Sequence, residues 1–205
     1  MRPPRLHIVS DDAVAAAPDF AARAAALLDA GGRDVALHLR APALTTRALH
    51  ELAAPLAVQA LRTGARLQIN DRVDVALAVR CGAHLGVRGM PLPAARRLLD
   101  NALLGFSAHT REEVRLAELE GADYVFLGTI FPSETHPARP PAGVELVRRT
   151  VPGAGLPVLA IGGITPERVS EVRAAGAYGV AVIRGIWRAG DPLAALRAYL
   201  DVLET

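Results

Sequence analysis

Short apolar runs of four to six residues alternate with longer stretches whose apolar positions recur at helical spacing, and this rhythm repeats from one end of the chain to the other. Leu6-His7-Ile8-Val9-Ser10 reads as a first strand and Val35-Ala36-Leu37-His38-Leu39-Arg40 as a second. Further strands follow at Arg66–Asn70, Ala83–Leu85, Leu103–Ser107, Asp123–Leu127, Pro157–Ile161 and Val180–Ile183. Between them, helices are expected near 19–30, 45–62, 71–79, 93–100, 110–120, 144–149 and after Pro166, with a last one near 192–203. Gly31-Gly32, Gly64 and Gly121 stop three of these helices. Eight strand–helix units in alternation predict one α/β domain over 1–205, a parallel (β/α)8 TIM barrel, with an open doubly wound sheet as the alternative.

The stretch Pro157-Val158-Leu159-Ala160-Ile161-Gly162-Gly163-Ile164-Thr165-Pro166-Glu167 is the most informative. A strand ends in two glycines, and Thr165 and Pro166 suit the N-cap and first position of the next helix. Backbone N–H groups at such a junction make an anion site. A second loop, Ile183-Arg184-Gly185, ends the following strand. Paired loops after the last two strands of a barrel form a phosphate pocket; the plainer alternative is that the glycines only make tight turns. If the pocket is real, a bulky β-branched residue at Gly163 should weaken ligand binding far more than folding.

Composition narrows the chemistry. All 23 basic residues are arginine, so no lysine is available as Schiff base or nucleophile. They are spread along the chain, with no nucleic-acid footprint. Cys81 is the only cysteine; it excludes an internal disulfide, fits a reducing cytoplasm, and reads as a packed thiol. No apolar run of about eighteen residues is present to span a membrane, and the N-terminus lacks an apolar signal region. The proline-rich 128–143 stretch is longer than a connection needs and is expected to form a substrate lid.

In a barrel the polar residues at strand C-termini line the active site. They are His38 and Arg40 on one face of the second strand, Asn70 and Asp71, Arg88, Ser107 and His109, Thr129, and Thr135 and His136 in the long loop. Asn70-Asp71 could instead cap the helix that starts near Arg72, and His109 could be a packed histidine.

From end to end the chain resembles the thiamine-phosphate synthase and thiazole tautomerase (TenI-type) superfamily. The matching segments include Ile69-Asn70-Asp71-Arg72, His84-Leu85-Gly86, Gly105-Phe106-Ser107-Ala108-His109-Thr110 and Ala160-Ile161-Gly162-Gly163-Ile164-Thr165. The resemblance implies a barrel binding a thiazole phosphate at Gly162-Gly163 and Ile183-Arg184, with Ser107 and Thr129 at the substrate. In the synthase branch, Arg40 and Asn70 positions hold an aminopyrimidine diphosphate, and Mg²⁺ is bridged by the Asp71 position and a second aspartate one loop later. That second position is Gly89 here, and two synthase lysine positions are Pro42 and His136. The synthase glutamine two residues before Arg40 is His38.

These departures favour the other branch: a metal-independent TenI-like tautomerase moving a proton by His38 or His136. The histidine that tautomerases carry after the sixth strand's glycine is, however, Thr129 here. A thiamine-phosphate synthase using Mg²⁺ at Asp71 is the alternative, and a non-catalytic phosphometabolite-binding barrel the third reading. The resemblance further implies a cytoplasmic homo-oligomer acting on small molecules.

Overall fold

The computed structural model describes residues 2–133 and 140–204. In chain order the first half runs β1 (Leu6–Val9), α1 (Asp12–Ala15), α2 (Phe20–Gly31), β2 (Val35–Leu39), α3 (Thr46–Thr63), β3 (Arg66–Asn70), α4 (Val73–Ala78), β4 (Gly82–Leu85) and α5 (Leu92–Leu99). The second half runs β5 (Leu104–Ala108), α6 (Arg111–Leu119), β6 (Tyr124–Gly128), α7 (Val144–Thr150), β7 (Val158–Ile161), α8 (Pro166–Ala174), β8 (Gly179–Val182), α9 (Arg184–Trp187) and α10 (Pro192–Glu204). The strands form a closed barrel in sequence order, every neighbour parallel, and β8 pairs with β1. The open-sheet alternative is excluded by that closure. Two short helices, α1 and α9, were not expected from the sequence pattern; four residues are too few to show a helical period.

Alternation along each strand sorts the core into two bodies. Leu6, Ile8, Leu37, Leu39, Leu67, Ile69, Val125, Leu127 and Val180 belong to the layer between sheet and helices. A separate cluster of Val9, Leu103, Tyr124, Phe126, Leu159 and Ala181 fills the barrel. Histidines and aromatics share that interior: His7, His38 and His84 are buried, with ring centroids of His84 and Phe126 4.1 Å apart. Glycine makes room for them. A Cβ at Gly105 would lie 2.5 Å from His84 Nδ1 and strike the Tyr124 ring.

Local signals explain the helix starts. Thr110 caps α6, its hydroxyl accepting from Glu113 N–H at 3.1 Å, while the Glu113 carboxylate accepts from His109 N–H at 2.6 Å. Pro166 occupies the first turn of α8 as expected, but the Thr165 hydroxyl makes no capping bond to that helix.

Candidate active site

The C-terminal ends of β5 to β8 surround a cavity of about 540 Å³. Ser107, Thr129, Gly162, Gly163, Ile183 and Arg184 all line it. Six positions chosen along the sequence therefore meet in one place. Three more residues join them: His109, Arg168 and Arg188. The two arginines were missed because they sit on or just after a helix, not at strand ends. Arg168 lies in the first turn of α8 and reaches back, donating to the Gly163 carbonyl at 2.7 Å while stacking 4.6 Å over the Phe131 ring. His109 donates from Nδ1 to the Gly128 carbonyl at 2.5 Å. It was also read as a possible packed histidine; here it is a wall of the cavity.

Both glycine turns are held in the left-handed region, Gly162 at φ 101° and Gly163 at φ 62°. Each is also crowded. A Cβ on Gly162 would lie 2.5 Å from Thr129 Cγ2, and one on Gly163 would lie 2.8 Å from Phe131 Cβ. The glycines are therefore required by the turn itself, whatever they bind. Tyr199 of α10 braces the two loops, donating to the Ile164 carbonyl at 2.9 Å and packing against Gly185.

The β2–β3 side is built differently. Arg40 is anchored through its backbone: its N–H donates to Ser10 Oγ at 2.9 Å and its carbonyl accepts from that hydroxyl at 3.1 Å. Asn70 lies at the end of β3, within 3.2 Å of His38 Nδ1. His38 itself is fully buried. Its other nitrogen is 2.8 Å from His7 Nδ1, and burial holds its pKa at about 3. The expected proton carrier is thus sealed below the mouth, with both ring nitrogens engaged and neutral at any physiological pH. Alternation correctly put His38 on the inward face but could not give its depth. His136, the other expected carrier, lies outside the described residues, as do residues 134–139 of the 128–143 stretch read as a lid.

His84 belongs to the same interior layer, with Nε2 2.8 Å from Ser107 Oγ and Nδ1 3.2 Å from the Tyr124 hydroxyl. Burial lowers its pKa well below the usual histidine range, with His38 and His7 adding to that. Ser107 is therefore held from below by an uncharged ring.

Asp71 does not cap α4, whose N-cap is Arg72 without a side-chain bond. It sits at φ 60° and accepts from Gly86 N–H at 2.8 Å. A Cβ on Gly89 would come 2.9 Å from the same carboxylate oxygen, so position 89 faces Asp71 but carries no ligand. Among the described residues no group of three or more histidine, cysteine or acidic side chains could hold a metal. One exposed carboxylate, already bonded to a backbone amide, does not fit a resident Mg²⁺ site formed by the protein alone.

The chain matches the family model described as thiamine monophosphate synthase (TMP-TENI) over residues 6–186. It is 40% identical over 205 residues to the thiamine-phosphate synthase of Chloroflexus aurantiacus, covering 98% of this chain and 94% of that protein. It is 45% identical over 179 residues to the thiamine biosynthesis bifunctional protein ThiM/ThiE of Symbiobacterium thermophilum, covering 86% of this chain but only 37% of that longer protein. The solved structure of thiamine phosphate pyrophosphorylase from Pyrococcus furiosus aligns with a TM-score of 0.84 at 31% identity, covering 98% of this chain and 95% of that one. The strand order and these likenesses agree: the chain belongs to the thiamine monophosphate synthase family.

Proposed function

We propose that this chain is a thiamine-phosphate synthase, a transferase that joins an aminopyrimidine methyl diphosphate to a thiazole phosphate and releases diphosphate. The observation that carries the reading is the 40% identity to the Chloroflexus aurantiacus synthase over 98% of the chain. This replaces the tautomerase expected from the sequence; of its two expected proton carriers, His38 is fully buried and His136 lies outside the described residues.

In the reaction, the bond between the pyrimidine methylene carbon and the diphosphate oxygen breaks, and its electron pair leaves with the diphosphate. The ring nitrogen of the thiazole then donates its lone pair to that carbon. The cavity at β5–β8 takes the thiazole phosphate, with Arg168, Arg184 and Arg188 supplying positive charge around it. Its hydrophobic floor, Phe126 and Ile161, suits the thiazole ring. The pyrimidine diphosphate lies toward β2–β3, where Arg40 and Asn70 meet it. Leaving-group charge is stabilised by guanidinium groups in this reading, and a fixed donor at such a position contributes about 10²-fold or more in rate.

Incubating the purified protein with both substrates, Mg²⁺ supplied, tests this. Thiamine phosphate and diphosphate should appear in equal amounts, with kcat/KM lowered about 10²-fold by Arg40→Ala. Proton exchange on a thiazole carboxylate phosphate in deuterated buffer, without condensation, would reinstate the tautomerase; tight binding with no turnover would point to a carrier.

A further inference from the structure

The barrel interior contains a chain of hydrogen-bonding groups that begins at its closed end and finishes at Asn70. His7 Nε2 is 3.1 Å from the Pro4 carbonyl, His7 Nδ1 is 2.8 Å from His38 Nε2, and His38 Nδ1 is 3.2 Å from Asn70 Oδ1. Both histidines are fully buried, packed among Tyr124, Phe126 and His84 with ring centroids 4.9–5.3 Å from His7 or 4.9–6.4 Å from His38. Burial lowers the pKa of each, so both rings are neutral and each carries one N–H.

That single proton per ring makes the chain directional. A carbonyl oxygen only accepts, so His7 must place its proton on Nε2, facing Pro4. His7 Nδ1 is then a lone pair and needs a donor, so His38 must carry its proton on Nε2. His38 Nδ1 is in turn a lone pair, and the only group of Asn70 able to satisfy it is the amide NH₂. Asn70 Oδ1 stands 3.2 Å from His38 Nδ1, so this proton placement requires the amide to be turned over, its nitrogen toward His38 and its oxygen away. Shifting every proton one step the other way would set the Pro4 carbonyl against a bare nitrogen at 3.1 Å, leaving a buried acceptor unsatisfied.

We infer that His7, a residue that touches no substrate, is a positioning residue: through His38 it fixes one of the two possible orientations of the Asn70 amide at the mouth. The orientation follows from one proton per ring counted from the Pro4 carbonyl; its effect on the pyrimidine diphosphate rests on the synthase reading. A fixed amide offers a ligand one pattern of donor and acceptor, whereas a freely turning one must be ordered at the moment of binding.

Long-range ¹H–¹⁵N correlation spectra of the ligand-free protein, labelled at histidine, test the proton placement without any assay. The expected result is that both His7 and His38 are Nε2–H tautomers. A proton on His38 Nδ1, or exchange between the two forms, overturns the inference even if the enzyme makes thiamine phosphate. Tautomers as expected in a protein that makes none would leave the inference standing and remove the synthase reading. Kinetics supply the second arm. His7→Phe should raise KM for the pyrimidine diphosphate about three- to tenfold with KM for the thiazole phosphate unchanged. His7→Asn, whose amide can present an acceptor where Nδ1 stood, should recover most of it. Equal changes in both KM values, or no recovery, would reduce His7 to packing; the wild-type spectrum decides the matter if His7→Phe does not fold.

Discussion

Gly163 and Phe131 are packed so closely that a Cβ on Gly163 would lie 2.8 Å from Phe131 Cβ, and closer still to the Pro132 carbonyl oxygen. With φ at 62° as well, a β-branched side chain at this position must move the loop after β6 or leave the left-handed region. Gly163→Val should therefore cost about 2–4 kcal/mol of stability from overpacking and backbone strain. Stability and ligand binding should fall together, against the expectation that binding would weaken far more than folding. Urea unfolding of the variant measures this; an unchanged midpoint would show that the loop yields freely.

Acid should destabilise this protein earlier than carboxylates alone would cause. His7, His38 and His84 are held neutral in the folded state, their pKa values depressed by burial. The unfolded chain takes up protons at these residues below about pH 6.5 while the folded chain refuses them. Their contribution is thus complete above that pH and is lost as pH falls toward the folded values, which for His38 is about 3. Between pH 7 and pH 5 the loss should amount to several kcal/mol, about 2 for each histidine. Urea midpoints at pH 7, 6 and 5 check it, and a flat profile would mean that the three rings are hydrated.

Tyr199 ties the loop after β7 to the start of α9. Its hydroxyl donates to the Ile164 carbonyl at 2.9 Å, and burial raises its pKa to about 12. Tyr199→Phe leaves that carbonyl, in a buried setting, without its donor and should cost about 1–2 kcal/mol. Affinity for the thiazole phosphate, measured by calorimetry, should drop a few-fold because the two loops lose a shared brace. Unchanged affinity with lowered stability would separate the brace from the site.

Cys81 should be inert in the native protein. Burial pushes its thiol up to about 12, so the thiolate needed for alkylation is scarce at pH 8. Iodoacetamide should modify the unfolded chain at least about a hundredfold faster than the folded one. Equal rates would place the thiol in open solvent.

Much of this architecture is legible in the sequence because each level repeats the same message. Eight apolar runs alternate with amphipathic stretches, and glycines close the helices that they follow. The two loops that line the cavity after β7 and β8 were legible too, since Gly162-Gly163 and Ile183-Arg184 are each marked by local chemistry. What escaped depends on contacts between distant strands. His38 lies in β2 and Arg40 directly follows it, yet rings from β1, β4 and β6 bury the first while the second stays near the rim. Arg168 reaches the cavity from α8 and Arg188 from just after α9, where an arginine is ordinarily a solvated surface residue. Asp71 was assigned by resemblance as a metal ligand, and only the packing of Gly86 and Gly89 against it reveals how little of a metal site surrounds it.

The central claim is that a thiazole phosphate sits among the loops after β6, β7 and β8 while the pyrimidine diphosphate meets Arg40 and Asn70 across the barrel mouth. A crystal structure of the protein with the thiazole phosphate and an unreactive pyrimidine diphosphate analogue tests it most directly. The account predicts the thiazole phosphorus between the 162–165 and 183–185 segments, within reach of Arg168 or Arg188. A thiazole phosphate bound elsewhere, or a diphosphate filling that cavity instead, would contradict it.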